Sequence, residues 1–295
     1  MNCYGPTVAQ SGSMTIIDCK TCGYAHQYPM PGGLDQFYST EDKFYTEYAD
    51  DKWYQEKVQE HNLGLWDACY NWQINLLRTG YCNRLVDIGC GYGWFMHHWN
   101  SSGPGYFASC GIEPSDKARS AATASMLCVF SEPEYVAYND RNTAIRMAYV
   151  LEHVTDPINF IRYYCNYNKA ANLLVCIPNE FNPLQSLLGK QFGAFFAQVP
   201  HVNYFSKQSI QTVLHKADMN VVSISATFPM ELFGLMGFDY INNPEVGHRC
   251  HVLRLRFEKR MGIKAFELYK LLNSKLNWGR GLFVVAKAAP TISYT

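Results

Sequence analysis

Two acidic residues that flank a cluster of glycines are the feature of the sequence most suggestive of chemistry. Asp87 lies two positions before the first glycine of the segment 89–93, and Glu113 follows that segment twenty residues later. Glycines let the backbone turn sharply and approach a ligand closely. A carboxylate at the end of the second strand of such a unit can accept both hydroxyls of a ribose. The pattern therefore predicts a nucleotide-shaped pocket at the edge of a parallel sheet.

The spacing of the glycines restricts which nucleotide fits this pocket. A dinucleotide fingerprint has the spacing G-x-G-x-x-G, whereas residues 89–93 have the spacing G-x-G-x-G. No phosphate-binding lysine follows, which excludes a Walker loop. Asp87 would repel a pyrophosphate but could lie near a sulfonium or an ammonium group. The pattern disfavours a nicotinamide dinucleotide; a tight structural turn with two solvated acids is the alternative.

Short apolar strands alternate with helices along the chain and must position these residues. The predicted strands are 85–89, 107–113, 126–130, 144–149, 172–177, 221–226 and 282–287, and the predicted helices are 52–79, 94–100, 115–125, 157–168, 207–217 and 249–277. This alternation indicates an α/β fold with a doubly wound, Rossmann-like sheet of seven parallel strands. Ser115 and Asp156 are predicted to be N-caps of the helices that follow them.

Two parts of the chain depart from this alternation. Residues 1–50 are predicted to form an N-terminal extension or lid with a partial CxxC knuckle, and residues 51–295 the cofactor-binding domain. Within that domain, segments around 182–206 and 228–260 interrupt the pattern. Insertions at the carboxyl edge of such a sheet commonly shape a substrate pocket, and we expect these two segments to do so.

Composition excludes several classes of protein. Among the 295 residues, Lys and Arg together number 25, and Asp and Glu together also number 25. There is therefore no excess of positive charge that would favour binding to nucleic acid. No apolar run approaches the roughly 20 residues that cross a bilayer, and the N-terminus lacks a signal-peptide pattern. The eleven cysteines are scattered, which is typical of reduced, buried thiols. We expect a cytoplasmic protein with a small-molecule substrate and no nucleic-acid or membrane partner; the oligomeric state is left open.

The glycine segment and two later segments together resemble the class I S-adenosylmethionine-dependent methyltransferases, in particular bacterial ones that act on small molecules and sugars. Residues 86–93 match the family's loop around the methionine part of the cofactor, and Glu113 matches the residue that holds the ribose. Residues 149–157 resemble the LEH-V-x-DP block after the fourth strand, and residues 201–206 resemble an H-x-N-x-F-S segment. The resemblance covers about residues 81–290. The cofactor-binding residues that it implies are Asp87, Gly89, Cys90, Gly91, Gly93, Glu113 and Leu151.

One stretch departs from the pattern of this family. Between the third and fourth strands the family usually has an F-D-x-I segment, whereas residues 137–145 read AYNDRNTAI. The residue that contacts the adenine ring is therefore hard to place, and Ser131 and Glu132 are the candidates. The same departure motivates an alternative function, a non-catalytic partner protein that binds S-adenosylmethionine.

Two histidines are candidates for a general base. Methyl transfer to a nucleophile needs alignment of donor and acceptor and, for many acceptors, removal of a proton. His153 is expected beside the cofactor because it follows the fourth strand, and Glu152 next to it could orient cofactor or substrate. His201 is the second candidate, with Tyr204 close by in the sequence. The alternatives are a histidine packed under the adenine for His153 and an anchor of the lid for His201.

A pair of cysteines near the N-terminus has the spacing of a zinc knuckle. Cys19 and Cys22 are separated by two residues and followed by glycine, and the nearest further ligands are Cys3 and His26. Relatives among sugar C-methyltransferases carry two such pairs and bind zinc in a small N-terminal lobe. Because only Cys3 precedes the pair here, that resemblance is partial. The interpretation favoured by the sequence is a decayed knuckle that packs as a turn, and bound zinc is the alternative.

The resemblance implies an enzyme that transfers a methyl group from S-adenosylmethionine to a small polar acceptor. The LEH-V-x-DP block and the partial knuckle favour a sugar, a nucleotide-linked sugar or a related metabolite. Methylation of oxygen, nitrogen and carbon all occur on this fold, so the sequence leaves the accepting atom open.

Overall fold

Eleven strands form two sheets in the computed structural model, which describes residues 3–11, 14–33, 43–78, 82–102, 108–131, 143–168, 172–188 and 201–289. The strands are β1 (Thr7–Ser11), β2 (Met14–Asp18), β3 (Ala25–Gln27), β4 (Arg84–Ile88), β5 (Ala108–Ile112), β6 (Cys128–Phe130), β7 (Thr143–Ala148), β8 (Asn172–Pro178), β9 (Asn203–Tyr204), β10 (Met219–Ala226) and β11 (Gly281–Ala288). The larger sheet has the order β10-β11-β8-β7-β4-β5-β6. It confirms the predicted α/β class with a seven-stranded, Rossmann-like sheet.

The last strand is the exception to the predicted parallel arrangement. Strands β4 to β8 pair in parallel, whereas β11 is antiparallel to both of its neighbours, β8 and β10. The reversal follows from the path of the chain, which leaves β10, passes through helices and returns between β10 and β8. As a result, Gly281 at the start of β11 lies opposite Pro178 at the end of β8. Residues around 280 therefore join the carboxyl edge of the parallel strands.

Helices cover the large sheet and connect its strands. They are α1 (Asp51–Asn62), α2 (Asp67–Leu77), α3 (Trp94–Ser101), α4 (Asp116–Ala124), α5 (Pro157–Asn168), α6 (Pro183–Leu188), α7 (Lys207–Lys216), α8 (Glu231–Leu235), α9 (Pro244–Met261) and α10 (Ile263–Leu276). The predicted N-caps are confirmed: Ser115 accepts a hydrogen bond from the N–H of Ala118, and Asp156 accepts one from the N–H of Asn159.

Two long helices of the sequence prediction are each divided in the structure. The predicted helix 52–79 is broken between α1 and α2, and the predicted helix 249–277 is broken between α9 and α10. A glycine with φ of +59° lies at each break, Gly64 and Gly262. A helix cannot continue through that backbone conformation, so hydrophobic periodicity alone overestimated the length of both helices.

The N-terminal residues form a smaller antiparallel sheet that is closed by a distant segment. Its order is β1-β2-β3-β9, and β9 pairs with β3 through Ala25 opposite Tyr204 and His26 opposite Asn203. Because β9 begins two residues after His201 in the chain, this pairing connects the N-terminal lobe to the carboxyl edge of the large sheet. Within the described ranges, no helix is both long and apolar enough to cross a membrane.

Candidate active site

The glycine loop follows β4 and is held tightly between its neighbours. The N–H groups of Gly89 and Cys90 both donate to the carbonyl of Ile112, at 2.7 and 3.2 Å. Gly89, Gly91 and Gly93 all have positive φ, at 68°, 56° and 76°. A Cβ on Gly89 would lie 2.6 Å from Cγ2 of Val150. The loop thus packs directly on the segment that follows β7, and its shape requires glycine at position 89.

Glu113 connects the glycine loop to the end of β5. Its side chain is 4% exposed, and Oε2 accepts a 2.8 Å hydrogen bond from the N–H of Gly91. Oε1 accepts a 3.0 Å hydrogen bond from the N–H of Ser115. A carboxylate has about four acceptor positions, so it can accept further hydroxyl groups beside these two backbone bonds.

Asp87 lies beneath the loop and is paired with an arginine. The residue is fully buried, and both carboxylate oxygens accept from Nη1 of Arg146, at 2.8 and 3.0 Å. Burial alone would lower the pKa of Arg146, but the Asp87 carboxylate outweighs it and raises that pKa. Nε of Arg146 donates to Gln73 at 2.8 Å. The Asp87 carboxylate therefore orients Arg146 and holds it in its charged form.

A cavity of about 660 Å³ extends from the glycine loop along the carboxyl ends of the strands. Its lining includes Gly89, Glu113 and Ser131, followed by Tyr149 and His153 from the segment after β7. Gly89 and Glu113 were predicted as cofactor-binding residues, and Ser131 as a candidate contact to adenine. The other adenine candidate, Glu132, and residues 137–142 lie outside the described residues. Gly89, Glu113 and residues of the block 149–157 therefore line one cavity, whereas Gly91 and Gly93 are not part of its lining.

Two of the other predicted cofactor residues, Leu151 and Cys90, are not part of the lining of this cavity. Leu151 is fully buried in the hydrophobic core. Cys90 is partly buried, and its Sγ would be 2.4 Å from a Cβ on Gly111.

The two candidate histidines lie together. Their ring centroids are 4.8 Å apart in an edge-to-face arrangement, and one side-chain atom each of Glu152, His153 and His201 lies within 4.8 Å of the others. Nδ1 of His201 is 3.6 Å from Oε1 of Glu180. Burial alone would lower the pKa of His201, but Glu180 and Glu152 outweigh it and raise that pKa. Burial raises the pKa of Glu152 to about 7. This cluster can therefore hold a proton near neutral pH.

A second cavity, of about 480 Å³, opens at the same edge of the sheet. Its walls come from α1, α2, α9 and the ends of β7, β8 and β11. Tyr149 lines both this cavity and the one beside the glycine loop. Its φ is +58°, a conformation that costs of order 1 kcal/mol or more outside glycine. The surrounding structure therefore holds Tyr149 at the boundary between the two cavities.

A comparison with protein families identifies the kind of protein that contains this site. A family model described as "Methyltransferase domain" matches residues 64–224, more than half of the chain. The chain belongs to this methyltransferase family. It is therefore an enzyme, and its recognition as a class I S-adenosylmethionine-dependent methyltransferase is confirmed. No curated protein matches the sequence of this methyltransferase.

Solved structures similar to this methyltransferase have low sequence identity and support its fold. A chain of the complex between the Haloferax volcanii Trm112 methyltransferase activator and a methyltransferase has a TM-score of 0.52 at 11% identity, covering 87% of this chain and 100% of that one. The plantazolicin methyltransferase BamL, solved with a substrate analogue and S-adenosylhomocysteine, has a TM-score of 0.52 at 13% identity, with 87% and 97% covered. A methyltransferase from Thermotoga maritima, titled as a possible histamine N-methyltransferase, has a TM-score of 0.50 at 15% identity, with 83% and 98% covered.

Two residues of the methyltransferase site were missed by the sequence analysis. Arg146 stands inside the apolar strand β7, and a charge in a fully buried strand was a signal that it has a specific partner. Glu180 follows the end of β8, at the edge where ligands bind in open α/β sheets. Its pairing with His201 had no signal in the sequence, because 21 positions separate the two residues.

The N-terminal lobe of the methyltransferase brings four metal-ligating side chains together. One ligand atom each of Cys3, Cys19, Cys22 and His26 lies within 4.8 Å of the other three. Burial alone would raise the pKa of Cys19, but hydrogen bonds, first among them one from the backbone N–H of Cys22 at 3.4 Å, outweigh it and lower that pKa to about 6. Nδ1 of His26 lies 2.7 Å from the carbonyl of Gln27. The lone pair of the His26 ring is therefore on Nε2.

Proposed function

We propose that this methyltransferase binds S-adenosylmethionine in the 660 Å³ cavity and methylates a small polar acceptor held in the 480 Å³ cavity. The observation that carries the proposal is the position of Tyr149, which lines both cavities. A donor in one cavity and an acceptor in the other would meet beside this residue. Such adjacency is what a direct transfer between two bound molecules requires.

The residues around the larger cavity suit the parts of this cofactor. The Glu113 carboxylate would accept the ribose hydroxyls, and the loop 89–93 would lie against the methionine part. Ser131 is placed to contact the adenine. The same cofactor is supported by the BamL structure, which contains S-adenosylhomocysteine. Asp87 is paired with Arg146, so it would affect cofactor binding indirectly, through the shape of the glycine loop.

His153 is the group that we assign as general base. When bound, S-adenosylmethionine supplies an electrophilic methyl carbon. His153 lines the cofactor cavity and would accept the proton of the acceptor hydroxyl or amine as that atom bonds to the methyl carbon and the carbon–sulfur bond breaks. His201 lies beside it, and Glu180 and Glu152 favour its protonated form, which leaves His153 as the ring that can accept the proton. Base catalysis of this kind contributes roughly 10²–10⁴-fold.

For the acceptor, the resemblance favours a sugar, a nucleotide-linked sugar or a related metabolite. The support is the LEH-V-x-DP block at residues 149–157 together with the knuckle at Cys19 and Cys22. The alternative, a non-catalytic partner protein that binds the same cofactor, is disfavoured because the chain belongs to a family of enzymes.

Calorimetry followed by methyl transfer tests the proposal. We expect S-adenosylmethionine to bind the full chain at one site, and a titration with NAD to be flat. Methyl-labelled cofactor should then label an acceptor among sugars, nucleotide-linked sugars and small acids. A flat titration with S-adenosylmethionine would contradict the proposal at its first step. Binding without transfer to any acceptor would favour the non-catalytic partner.

We further propose that Cys3, Cys19, Cys22 and His26 hold a structural zinc ion. Zinc prefers four tetrahedral thiolate and imidazole ligands, and two sulfurs about 2.3 Å from such a centre lie about 3.8 Å apart. Sγ of Cys3 is 3.6 Å from Sγ of Cys22. Nε2 of His26 is buried with no oxygen or nitrogen partner among the described residues. The contact from Nδ1 to the Gln27 carbonyl is the kind that orients a metal-bound histidine.

The metal content of the purified protein tests the zinc proposal without reference to activity. We expect about one zinc ion per chain by mass spectrometry, and loss of that zinc in the variant Cys19→Ser. The matched control is Cys128→Ser, since Cys128 is exposed and lies far from the lobe in sequence. A wild-type protein prepared without chelators that contains no zinc, and takes up none when zinc is added, would overturn the proposal.

A further inference from the structure

The second cavity, of about 480 Å³, is lined by several positively charged side chains. Four cationic side chains line it, and the lining contains no aspartate or glutamate. The cations are Lys57, Arg146, Arg254 and Arg280. A cavity with this lining attracts an anion and disfavours a cationic acceptor.

Each of these four cations has its own carboxylate on the side away from the cavity. The nearest distances are 2.8 Å for Lys57–Glu60, 2.8 Å for Arg146–Asp87, 3.3 Å for Arg254–Glu258 and 3.5 Å for Arg280–Glu231. The four carboxylate residues are at most 4% exposed. In each pair the cation lines the cavity and the carboxylate does not. Because the carboxylates already fix the cations, an entering anion meets donors that are in place.

Two histidines in the same lining are neutral at physiological pH. Burial lowers the pKa of His61 to about 4, and it also lowers the pKa of His251 to about 4. Nε2 of His251 is 3.1 Å from Nζ of Lys57, and Nδ1 is 3.3 Å from Nη2 of Arg254. His251 therefore lies between two of the cations; its neutral ring has one acceptor nitrogen, so it accepts from only one of them, and it adds no charge.

Much of the remaining wall of the cavity is aromatic and includes three tryptophans, Trp53, Trp66 and Trp94. The His61 ring stacks on Tyr70 at an interplanar angle of 13° and on Trp66 at 27°. Nε1 of Trp66 donates to Glu60 at 2.8 Å, which fixes its ring. Flat, fixed rings of this kind favour a planar ligand through stacking.

We propose that the acceptor of this methyltransferase is a planar aromatic molecule that bears an anionic group, such as a hydroxylated aromatic carboxylate. The aromatic walls hold the ring, the cations bind the anion, and the nucleophilic substituent lies at Tyr149. A volume of about 480 Å³ suits a molecule of this size. This inference rests on the proposed function, and within the small polar acceptors it favours aromatic anions over the simple sugars that the resemblance favours.

A panel that varies ring and charge independently tests the proposal. The probes are 3,4-dihydroxybenzoate, its neutral methyl ester, the non-aromatic acid quinate, and the neutral sugar methyl glucoside, with UDP-glucose as a nucleotide-linked sugar. Each is titrated into protein saturated with S-adenosylhomocysteine, and tryptophan fluorescence reports binding. We expect 3,4-dihydroxybenzoate to bind at least about tenfold more tightly than its ester and than quinate, because each lacks one of the two contacts.

Two variants and one control make this test specific to the cavity. Arg280→Gln should weaken binding of 3,4-dihydroxybenzoate by about tenfold and leave binding of the ester unchanged. Trp53→Leu should weaken both. Lys52→Gln is the control, because Lys52 is an exposed lysine on the same helix as Lys57 and does not line the cavity. Circular dichroism and S-adenosylhomocysteine binding establish that each variant is folded.

The possible failures are distinguishable. If S-adenosylhomocysteine does not bind, the proposed function itself fails. If it binds and methyl glucoside is preferred over 3,4-dihydroxybenzoate, the proposed function stands and the aromatic anion is overturned. Equal binding of the acid and its ester, or an unchanged ratio between them in Arg280→Gln, also overturns it.

Discussion

The two cavities at the carboxyl edge of the sheet are built in different ways. The larger one is shaped by backbone and by motif residues close to strand ends, such as Gly89, Glu113 and His153. The smaller one is formed by side chains from segments far apart in the sequence, from Trp53 to Phe283. The first kind of site can be recognised in a sequence because its geometry depends on short, local patterns. The second depends on tertiary packing.

The two cavities also differ in the charged groups at their walls. At the wall of the larger cavity, the Glu113 carboxylate accepts hydrogen bonds from two backbone N–H groups. In the smaller cavity, the carboxylates are withdrawn behind the wall and only their cationic partners line it. We therefore expect substitutions around the glycine loop to change binding of any ligand with an adenosine part. Substitutions around the second cavity should change only the choice of acceptor.

The largest expected effect is on turnover, in the variant His153→Ala. Loss of the assigned base should lower kcat by about a thousandfold, while the Kd of S-adenosylmethionine changes little. Steady-state kinetics and calorimetry measure the two quantities. His97→Ala is the matched control, because His97 is exposed on α3. A fall in cofactor affinity as large as the fall in kcat would make His153 part of the cofactor site instead.

The next effect concerns Glu152, a buried carboxyl without a hydrogen-bonding partner among the described residues. Burial raises the pKa of Glu152 from 4.5 to about 7. Between these pH values the folded protein keeps a proton that the unfolded chain has lost, so the free energy of unfolding falls as pH rises. The full shift corresponds to roughly 3 kcal/mol.

The variant Glu152→Gln cannot titrate at this position. We expect its stability relative to wild type to rise by roughly 3 kcal/mol between about pH 4 and pH 8, measured by urea unfolding. Glu267→Gln, at an exposed position on α10, is the matched control. A Glu152→Gln difference that does not depend on pH would show that folding does not raise the pKa of Glu152.

A smaller effect is expected for Gly89→Ala, which tests whether the backbone of the glycine loop shapes the larger cavity. The new Cβ would lie 2.6 Å from Val150 at a φ of +68°, so the loop must shift. We expect affinity for S-adenosylmethionine to fall by about a hundredfold, roughly 2.7 kcal/mol. Gly237→Ala has a comparable positive φ with no heavy atom within 4 Å of the added Cβ. If both variants bind the cofactor like wild type, the loop does not form the cofactor site.

The smallest of these effects is expected for Glu113→Gln. The amide keeps one acceptor oxygen but loses the charge that strengthens bonds to ribose hydroxyls. We expect a loss of about tenfold in affinity for S-adenosylmethionine, or about 1.4 kcal/mol. Binding of 3,4-dihydroxybenzoate to the cofactor-saturated variant should stay at the wild-type value. A loss of acceptor binding alone would reverse the roles assigned to the two cavities.

Much of the fold was predictable because it depends on local pattern. The seven strands, the glycine loop after β4 and the caps at Ser115 and Asp156 were all identified from residue type and spacing. The reversal of β11 was not, since an apolar strand carries no sign of its direction. The breaks at Gly64 and Gly262 were missed because the hydrophobic period continues across them.

The candidate site was predictable in part for the same reason. Gly89, Glu113 and His153 follow strand ends in a recognisable family pattern, and they line one cavity. The pairing of Asp87 with Arg146 joins two strands and that of His201 with Glu180 joins two loop segments, so neither appears in a local pattern. The four cations of the second cavity come from four separate segments. Only the fold brings them to one surface.

A structure of the methyltransferase with S-adenosylhomocysteine and 3,4-dihydroxybenzoate bound together would test whether donor and acceptor occupy the two cavities that meet at Tyr149. We expect the ribose at Glu113, the cofactor sulfur beside Tyr149, and the carboxylate of the acceptor at the cations of the second cavity. S-adenosylhomocysteine bound away from the glycine loop, or an acceptor bound outside the cavity lined by Lys57 and Arg280, would contradict it.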